Sequence, residues 1–383
     1  MKNGAKKHGQ ITIGVLGAYG NVGSNAAREL VRGGGDFRLL LGGRNQEALE
    51  DFAAELGGGL EIQAADVHDR ESIAAFVGRC DIVVNCSRYS DDLARAVLEA
   101  GCHLVDTTAF RSERWKEEEE GLRARRRAWI TYVGWIPGLP EVVLAYLEAE
   151  AARRFGKAES IDVYAYDRNE YLGYGLMDLV GGLFYGPGVL DKVHGFLGIG
   201  KHKANGNGKA KGNGNGKPAE PEQELDRIRP KPKLSVARLP EPVGRKLVVT
   251  ETPDSPRRVF LAYEPALLVP LLASYWYGTT RSEEWLAQNV VGPAFRKRVK
   301  KRGVAQVVFG RARGPGGQLV QSSYVETERD GYWLSGVIPA LAARMIAEGK
   351  VAEFGITKLD RAVDPLMLAD ELSAVGVDVR AEA

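Results

Sequence analysis

Cysteine, methionine and histidine are scarce in this chain: three, four and five residues among 383. Cys80, Cys86 and Cys102 are odd in number and show no C-x-x-C spacing. That excludes a disulfide framework and leaves no zinc signature; they read as small apolar residues in a reducing compartment, the cytoplasm. The scattered histidines add no ligand set, so no metal is expected. Neither charge sign is in excess. Against 52 Lys and Arg stand 50 Asp and Glu, a net charge of +2, which gives no electrostatic case for nucleic acid. Long apolar runs are also missing. The first, from Ile11, is too short and too glycine-broken for a signal h-region or a membrane span.

Glycine is what the chain has in quantity, and three of its 47 glycines carry the strongest signal. The β-rich run Ile11–Leu16 ends in Gly17-Ala-Tyr19-Gly20-Asn21-Val22-Gly23, and an Ala-rich helical pattern follows at once. In a dinucleotide-binding crossover the first glycine makes the tight turn and the second lets backbone approach a pyrophosphate. The third lets the helix pack on its strand, and the helix N-terminus faces the phosphates. The motif alone is weak; the strand before it and the helix after it make it specific. About 20 residues on, where such folds read the adenosine ribose, the second strand ends in Gly42-Gly43-Arg44-Asn45. An NAD site places a carboxylate there. Arg44 is a planar cation suited to a 2′-phosphate, so NADP(H) is expected over NAD(H).

Alternating strands and helices continue through the first third, as in a doubly wound parallel sheet. Strands are expected near 60–64, 81–87, 103–108 and 129–133, and helices near 46–56, 72–77, 91–100 and 112–128. The expected fold is α/β: a Rossmann domain over 1–134, and an inserted mixed-sheet α/β domain over 135–333. C-terminal helices over 334–383 would return to the first domain. Within the second domain, 160–167 reads as a strand, 246–250, 304–311 and 319–327 as further strands, and Gly314–Gly317 as a hairpin turn. Residues 201–218 are low-complexity Gly, Asn and Lys with no apolar anchor, and are expected to form a disordered loop. The segments 335–348 and 365–375 read as amphipathic helices.

These pieces together resemble the saccharopine dehydrogenase-like reductases. The matching residues are Gly17 to Gly23, Gly43-Arg44-Asn45, Ala65-Asp66-Val67, Asp81 to Cys86 and Gly101 to Thr108; Gly331 to Gly349 and Asp364-Pro365 also look similar. The resemblance implies an NADP(H)- or NAD(H)-binding first domain, a second domain closing over it, and homodimers through that second domain. It implies reduction of imines made from an amine and a carbonyl compound, and, in distant members, of acyl or enoyl intermediates. The chain departs from the family's G-x-D-P-G segment, for it reads Gly134-Trp135-Ile136-Pro137-Gly138. An apolar Ile136 in place of the carboxylate weakens the case for saccharopine itself.

The expected cofactor contacts are Gly17, Tyr19, Gly20, Asn21, Val22 and Gly23 at the turn, and Arg44, Asn45, Asp66 and Val67 towards the adenosine. Strand ends at Asn85, Cys86, Ser87, Asp106 and Thr107 would meet the nicotinamide end, where ligands bind in such sheets. No histidine is convincingly placed for proton transfer, and His68 and His103 read as structural. Tyr171, Tyr174 and Asp178, which open the second domain, are the candidates for proton transfer or substrate contact. Trp135 reads either as a wall of the substrate pocket or as core. Three functions fit: an NADP(H)-dependent reductase of an opine-like C–N bond, an enoyl or keto reductase on a more apolar substrate, and a dinucleotide-binding sensor without turnover. The partner is a small molecule in the first two.

Overall fold

A computed structural model describes residues 10–88, 90–108, 115–168, 233–239, 243–250, 254–264, 303–379 and 381–382. The first sheet collects β1 (Ile11–Leu16), β2 (Phe37–Gly43), β3 (Glu61–Ala64), β4 (Ile82–Asn85), β5 (His103–Asp106) and β6 (Ala128–Thr131). With β13 (Gly355–Lys358) from the C-terminal part, its order is β13-β6-β5-β4-β1-β2-β3, with every neighbouring pair parallel. The crossover helices are α1 (Asn21–Gly33), α2 (Gln46–Glu55), α3 (Arg70–Val77), α4 (Asp91–Ala100) and α5 (Lys116–Ala124). Strands β1, β4, β5 and β6 are buried almost throughout, as a sheet covered on both faces requires. The order reverses at β1, whose neighbours are β2 and β4, so a crevice forms at the C-terminal ends of β1 and β4.

Helix α6 (Leu139–Phe155) leads into the second sheet, which is formed by β7 (Ser160–Arg168), β8 (Lys233–Arg238), β9 (Arg245–Thr250), β10 (Arg257–Tyr263), β11 (Ala305–Arg313), β12 (Leu319–Glu326) and β14 (Ala381–Glu382). Its order is β14-β12-β11-β7-β10-β9-β8. β7 and β10 are parallel and the remaining pairs antiparallel. The expected hairpin closes between β11 and β12, where Gly314 N donates to Gln318 O at 2.9 Å. One apolar cluster runs from β1 and α1 through α6 to β7 and β11, and so joins the two sheets.

The C-terminal part differs from expectation in two ways. Helix α7 (Gly331–Ala347) packs on α1 and is buried on nearly all its faces, because helices and sheet surround it. It is therefore a core helix, not an amphipathic one. At Gly336 the two helices nearly touch: a Cβ there would lie 2.5 Å from Asn25 Cβ and 2.6 Å from the Val22 carbonyl oxygen. Beyond it the chain supplies β13 (Gly355–Lys358), α8 (Leu359–Ala362) and α9 (Pro365–Ala374). β13 completes the first sheet beside β6. Four residues with one large aliphatic side chain give too little alternation to read as a strand. Among the described residues no helix is long and apolar enough to cross a membrane.

Candidate active site at the switch point

The glycine turn is built as its spacing demands. Gly17 has φ +79°, and a Cβ on it would meet the Cys86 carbonyl oxygen at 2.9 Å. Its N–H and that of Ala18 donate to the Gly42 oxygen at 2.8 and 3.0 Å, which ties the turn to β2. A Cβ on Gly23 would come within 2.1 Å of the Gly17 oxygen, so the third glycine sets the closeness of α1 to the turn. Gly20 is different. A Cβ there would meet only the Gly17 oxygen, at 3.2 Å, so the chain itself barely requires glycine at this position. What the absent side chain leaves open is the cleft in front of the turn.

Most other helices have their first N–H groups taken by side chains: Asn45 caps α2, Asp69 α3, Ser90 α4, Asp330 α7 and Asp364 α9. α1 has no side-chain cap and no acidic residue in its first turn. Its N–H groups and the positive end of its dipole are left for an anion.

A cleft of about 650 Å³ lies in front of this turn. Gly17, Tyr19, Gly20, Asn21 and Val22 line one wall. Arg44, Asp66 and Val67 line the end towards β2 and β3, joined there by Ala65 and His68. Arg44 is exposed and has no ion pair or hydrogen bond among the described residues. Tyr19 braces this edge, its ring against Gly43 and its hydroxyl accepting from Asn45 N–H at 3.1 Å. Asp66 turns inward locally, its carboxylate accepting from His68 N–H at 3.0 Å.

Cys86, Ser87, Thr107 and Thr108 line the opposite end, and Tyr332 reaches it from α7. Behind them runs a polar network. Asn85 Oδ1 accepts from the Ser87 hydroxyl at 2.6 Å, and Asn85 Nδ2 donates to Asp106 Oδ1 at 3.0 Å. Asp106 Oδ1 also accepts from the Thr108 N–H and hydroxyl at 3.0 and 2.8 Å, while Asp106 Oδ2 is buried without a partner. Burial pushes the Asp106 carboxyl up to about 6, against the pull of the Thr108 and Asn85 hydrogen bonds. Burial also raises the Cys86 thiol, with the Asp106 charge adding to it, so Cys86 is held as the neutral thiol.

Of the residues singled out in the sequence, Gly23, Asn45, Asn85 and Asp106 stand behind the cleft wall and shape it. His103 is structural: its Nδ1 accepts from Ala128 N–H at 3.1 Å, and burial lowers it to about 4, helped by Arg127. Trp135 is buried and away from the lining; its N–H donates to Ser335 Oγ at 3.3 Å, pinning the β6–α6 loop to α7. Its indole lies beside Asp167, whose carboxyl burial pushes up to about 7. Tyr171, Tyr174 and Asp178, and the segment 201–218, lie outside the described residues. Arg88, Thr108 and Tyr332 line the cleft and were not singled out as cofactor or catalytic residues. Arg88 and Thr108 each follow a strand end by two or three residues, a signal that could have found them; nothing local marks Tyr332. Among the described residues no group of three or more His, Cys, Asp or Glu could hold a metal.

Comparison with known proteins agrees with this geometry. Residues 13–132 match the family model of the saccharopine dehydrogenase NADP-binding domain. The fold is similar to apo saccharopine dehydrogenase (L-Glu forming) from Saccharomyces cerevisiae, at TM-score 0.60 and 11% identity, covering 98% of this chain and 99% of that one. It is also similar to the homospermidine synthase of Legionella pneumophila solved with NAD, at TM-score 0.56 and 14% identity, covering 97% and 91%. No curated protein matches the chain. Residues 13–132 thus form an NADP-binding domain of the saccharopine dehydrogenase type, and the chain as a whole shares the fold of saccharopine dehydrogenase.

Proposed function

We propose that this saccharopine dehydrogenase-like chain reduces an imine formed from an amine and a carbonyl compound, an opine-like C–N bond, with at least one partner bearing a carboxylate. The observation that carries the reading is Arg88, a guanidinium lining the cleft just past β4, beside the hydroxyls of Ser87, Thr107 and Thr108. A planar cation with hydroxyl neighbours suits a substrate carboxylate. Arg88 apart, the lining at this end offers, among the described residues, hydroxyls, a phenol and a neutral thiol, with no carboxylate or imidazole. An iminium is already electrophilic and needs no strong acid there.

NADP(H), when bound, supplies the hydride. Gly20 and the α1 N-terminus would take its pyrophosphate, Arg44 its 2′-phosphate, and Ser87 with Thr107 the nicotinamide ribose. Asn85 orients both hydroxyls from behind, the Ser87 hydroxyl through its Oδ1 and the Thr107 hydroxyl through its backbone oxygen, while Asp106 holds the Thr108 hydroxyl beside them. Trp135, through Ser335, would hold α7 and hence Tyr332 at the substrate side, which Tyr171, Tyr174 and Asp178 would complete. Residues 135–333 would serve as the substrate domain and as the contact of a homodimer.

The test is NADPH consumption by the purified protein with amine–carbonyl pairs, with and without carboxylates, beside enoyl and keto thioesters. Turnover is expected with carboxylate-bearing pairs. Arg88→Met should raise KM for them by roughly ten- to a hundredfold, the scale of a hydrogen bond to a charged group, with NADPH affinity kept. Turnover on thioesters alone would replace this reading with the apolar reductase; turnover on neither would leave a sensor.

A further inference from the structure

The face of the second sheet turned away from α6 carries two cross-strand rows. Gly310 packs against Leu147 and Val143 of α6, so its neighbours Phe309 and Arg311 point to the other side. In register, Phe260, Tyr164 and Phe309 form one row across β10, β7 and β11, and Arg258, Asp162 and Arg311 form the next. Tyr164 stacks on Phe260 at 4.7 Å between centroids with 10° between planes, and Phe309 follows at 6.4 Å.

The charged row does not balance. Asp162 gives both carboxylate oxygens to Arg258, at 2.7 and 3.0 Å. Arg311, its neighbour on the other side, has no ion pair or hydrogen bond among the described residues. Its guanidinium lies 4.8 Å from the Phe309 ring and 6.0 Å from that of Tyr164, and its Nε is buried without a hydrogen-bond partner. Ring faces attract the charge but satisfy none of the five N–H donors. A cavity of about 290 Å³ adjoins Arg311, and the Ser235 and Thr250 residues also line it.

We propose that this cavity binds a small carboxylate on a flat apolar body, the carboxylate on Arg311 and the body on the Tyr164–Phe260 stack. Arg311 and the exposed Arg238 both line the cavity with no ion pair among the described residues, and a guanidinium in a partly desolvated site calls for an anionic group. The adjoining aromatic stack calls for an apolar surface beside it. The site sits towards the start of β7, while β7's far end carries Asp167 beside Trp135, so it is distinct from the cofactor cleft. It does not depend on the proposed reaction.

The experiment is calorimetric titration of the full-length protein with benzoate, acetate and benzylamine. Benzoate should bind saturably at one equivalent, about tenfold or more tighter than acetate because the ring adds stacked apolar area, and benzylamine should not bind. Arg311→Met keeps the apolar stem over Phe309 and should weaken benzoate by about tenfold or more, with NADPH affinity unchanged. Asp162→Asn removes the competing carboxylate and should tighten benzoate by about threefold. No saturable benzoate binding, equal binding in Arg311→Met, or benzylamine binding as well as benzoate would overturn the proposal. Acetate binding as tightly as benzoate would overturn the role of the aromatic row. Should Arg311→Met fail to fold, the Asp162→Asn result decides, since unchanged or weaker binding there contradicts the charge argument.

Discussion

At the scale of single residues, the proposed grip on the cofactor divides between a cation and an absence. Arg44 is exposed and has no ion pair among the described residues. Arg44→Ala should therefore cost NADP(H) about 1.5–3 kcal/mol, the scale of a hydrogen bond to a charge, and leave NAD(H) affinity almost unchanged. Calorimetry with both cofactors checks it. Gly20→Val in the same assay should weaken both cofactors, since its Cβ meets little of the chain and fills the space before the turn. Asp106 makes a prediction about pH. Burial raises its folded pKa to about 6 from an ordinary 3.8, so folding favours the protonated acid. The stability it contributes is complete below about pH 4 and is lost as pH rises through 6; the partnerless Oδ2 fits a neutral carboxyl better than an anion. Asp106→Asn imitates the neutral form at every pH. Relative to it, the wild type should lose about 2 kcal/mol between pH 4 and 7 in denaturant unfolding.

At the scale of elements, periodicity was enough where one face of an element is buried and one exposed, or where a strand is continuously apolar. The strands β1, β2, β4 and β5 and the helices between them stood out for that reason. β10 did not, because Arg257 and Arg258 open it with charge, and β13 did not, because it is four residues long. α7 was found as a helix yet misread in character: a helix enclosed on all sides shows no polar face for a moment to detect. Its contact with α1 supplies a test. Gly336→Ala raises helix propensity by up to about 1 kcal/mol, but the new Cβ would lie 2.5–2.8 Å from Asn25 Cβ, Val22 O and Ala26 N. Overpacking should win, for a net loss of about 1–3 kcal/mol. Thermal unfolding would show a lower Tm, and NADPH should bind more weakly because Val22 belongs to the phosphate-facing turn.

At the scale of the whole molecule, the wall of the cleft nearest the glycine turn was legible because it is local. One turn, one strand edge and two strand ends, all within the first 108 residues, supply it. The end of the cleft proposed to take substrate is assembled from distant chain. Tyr332 arrives on a helix more than 200 residues after the strands it faces, and Ser335 meets Trp135 across the same gap. No spacing rule links such residues, since their proximity exists only after the two sheets have packed. The polar network behind the wall escaped for a related reason. Asn85 and Asp106 were correctly placed at strand ends, but that they face inward, and that only their partners Ser87 and Thr108 reach the cleft, is decided by side-chain direction at the last residue of each strand.

The return of α7 and β13 to the first sheet has a consequence for how the protein comes into being. During synthesis, the six strands from β1 to β6 emerge before α7 and β13, and with them a complete glycine turn. The β6 edge of that sheet and the apolar side of α1, with Ala26, Ala27 and Leu30, then wait uncovered while about 200 further residues are made. The nucleotide-binding half cannot finish folding from its own sequence. Its last strand is delivered more than 200 residues after β6, so this half completes its fold only once that later segment has been made.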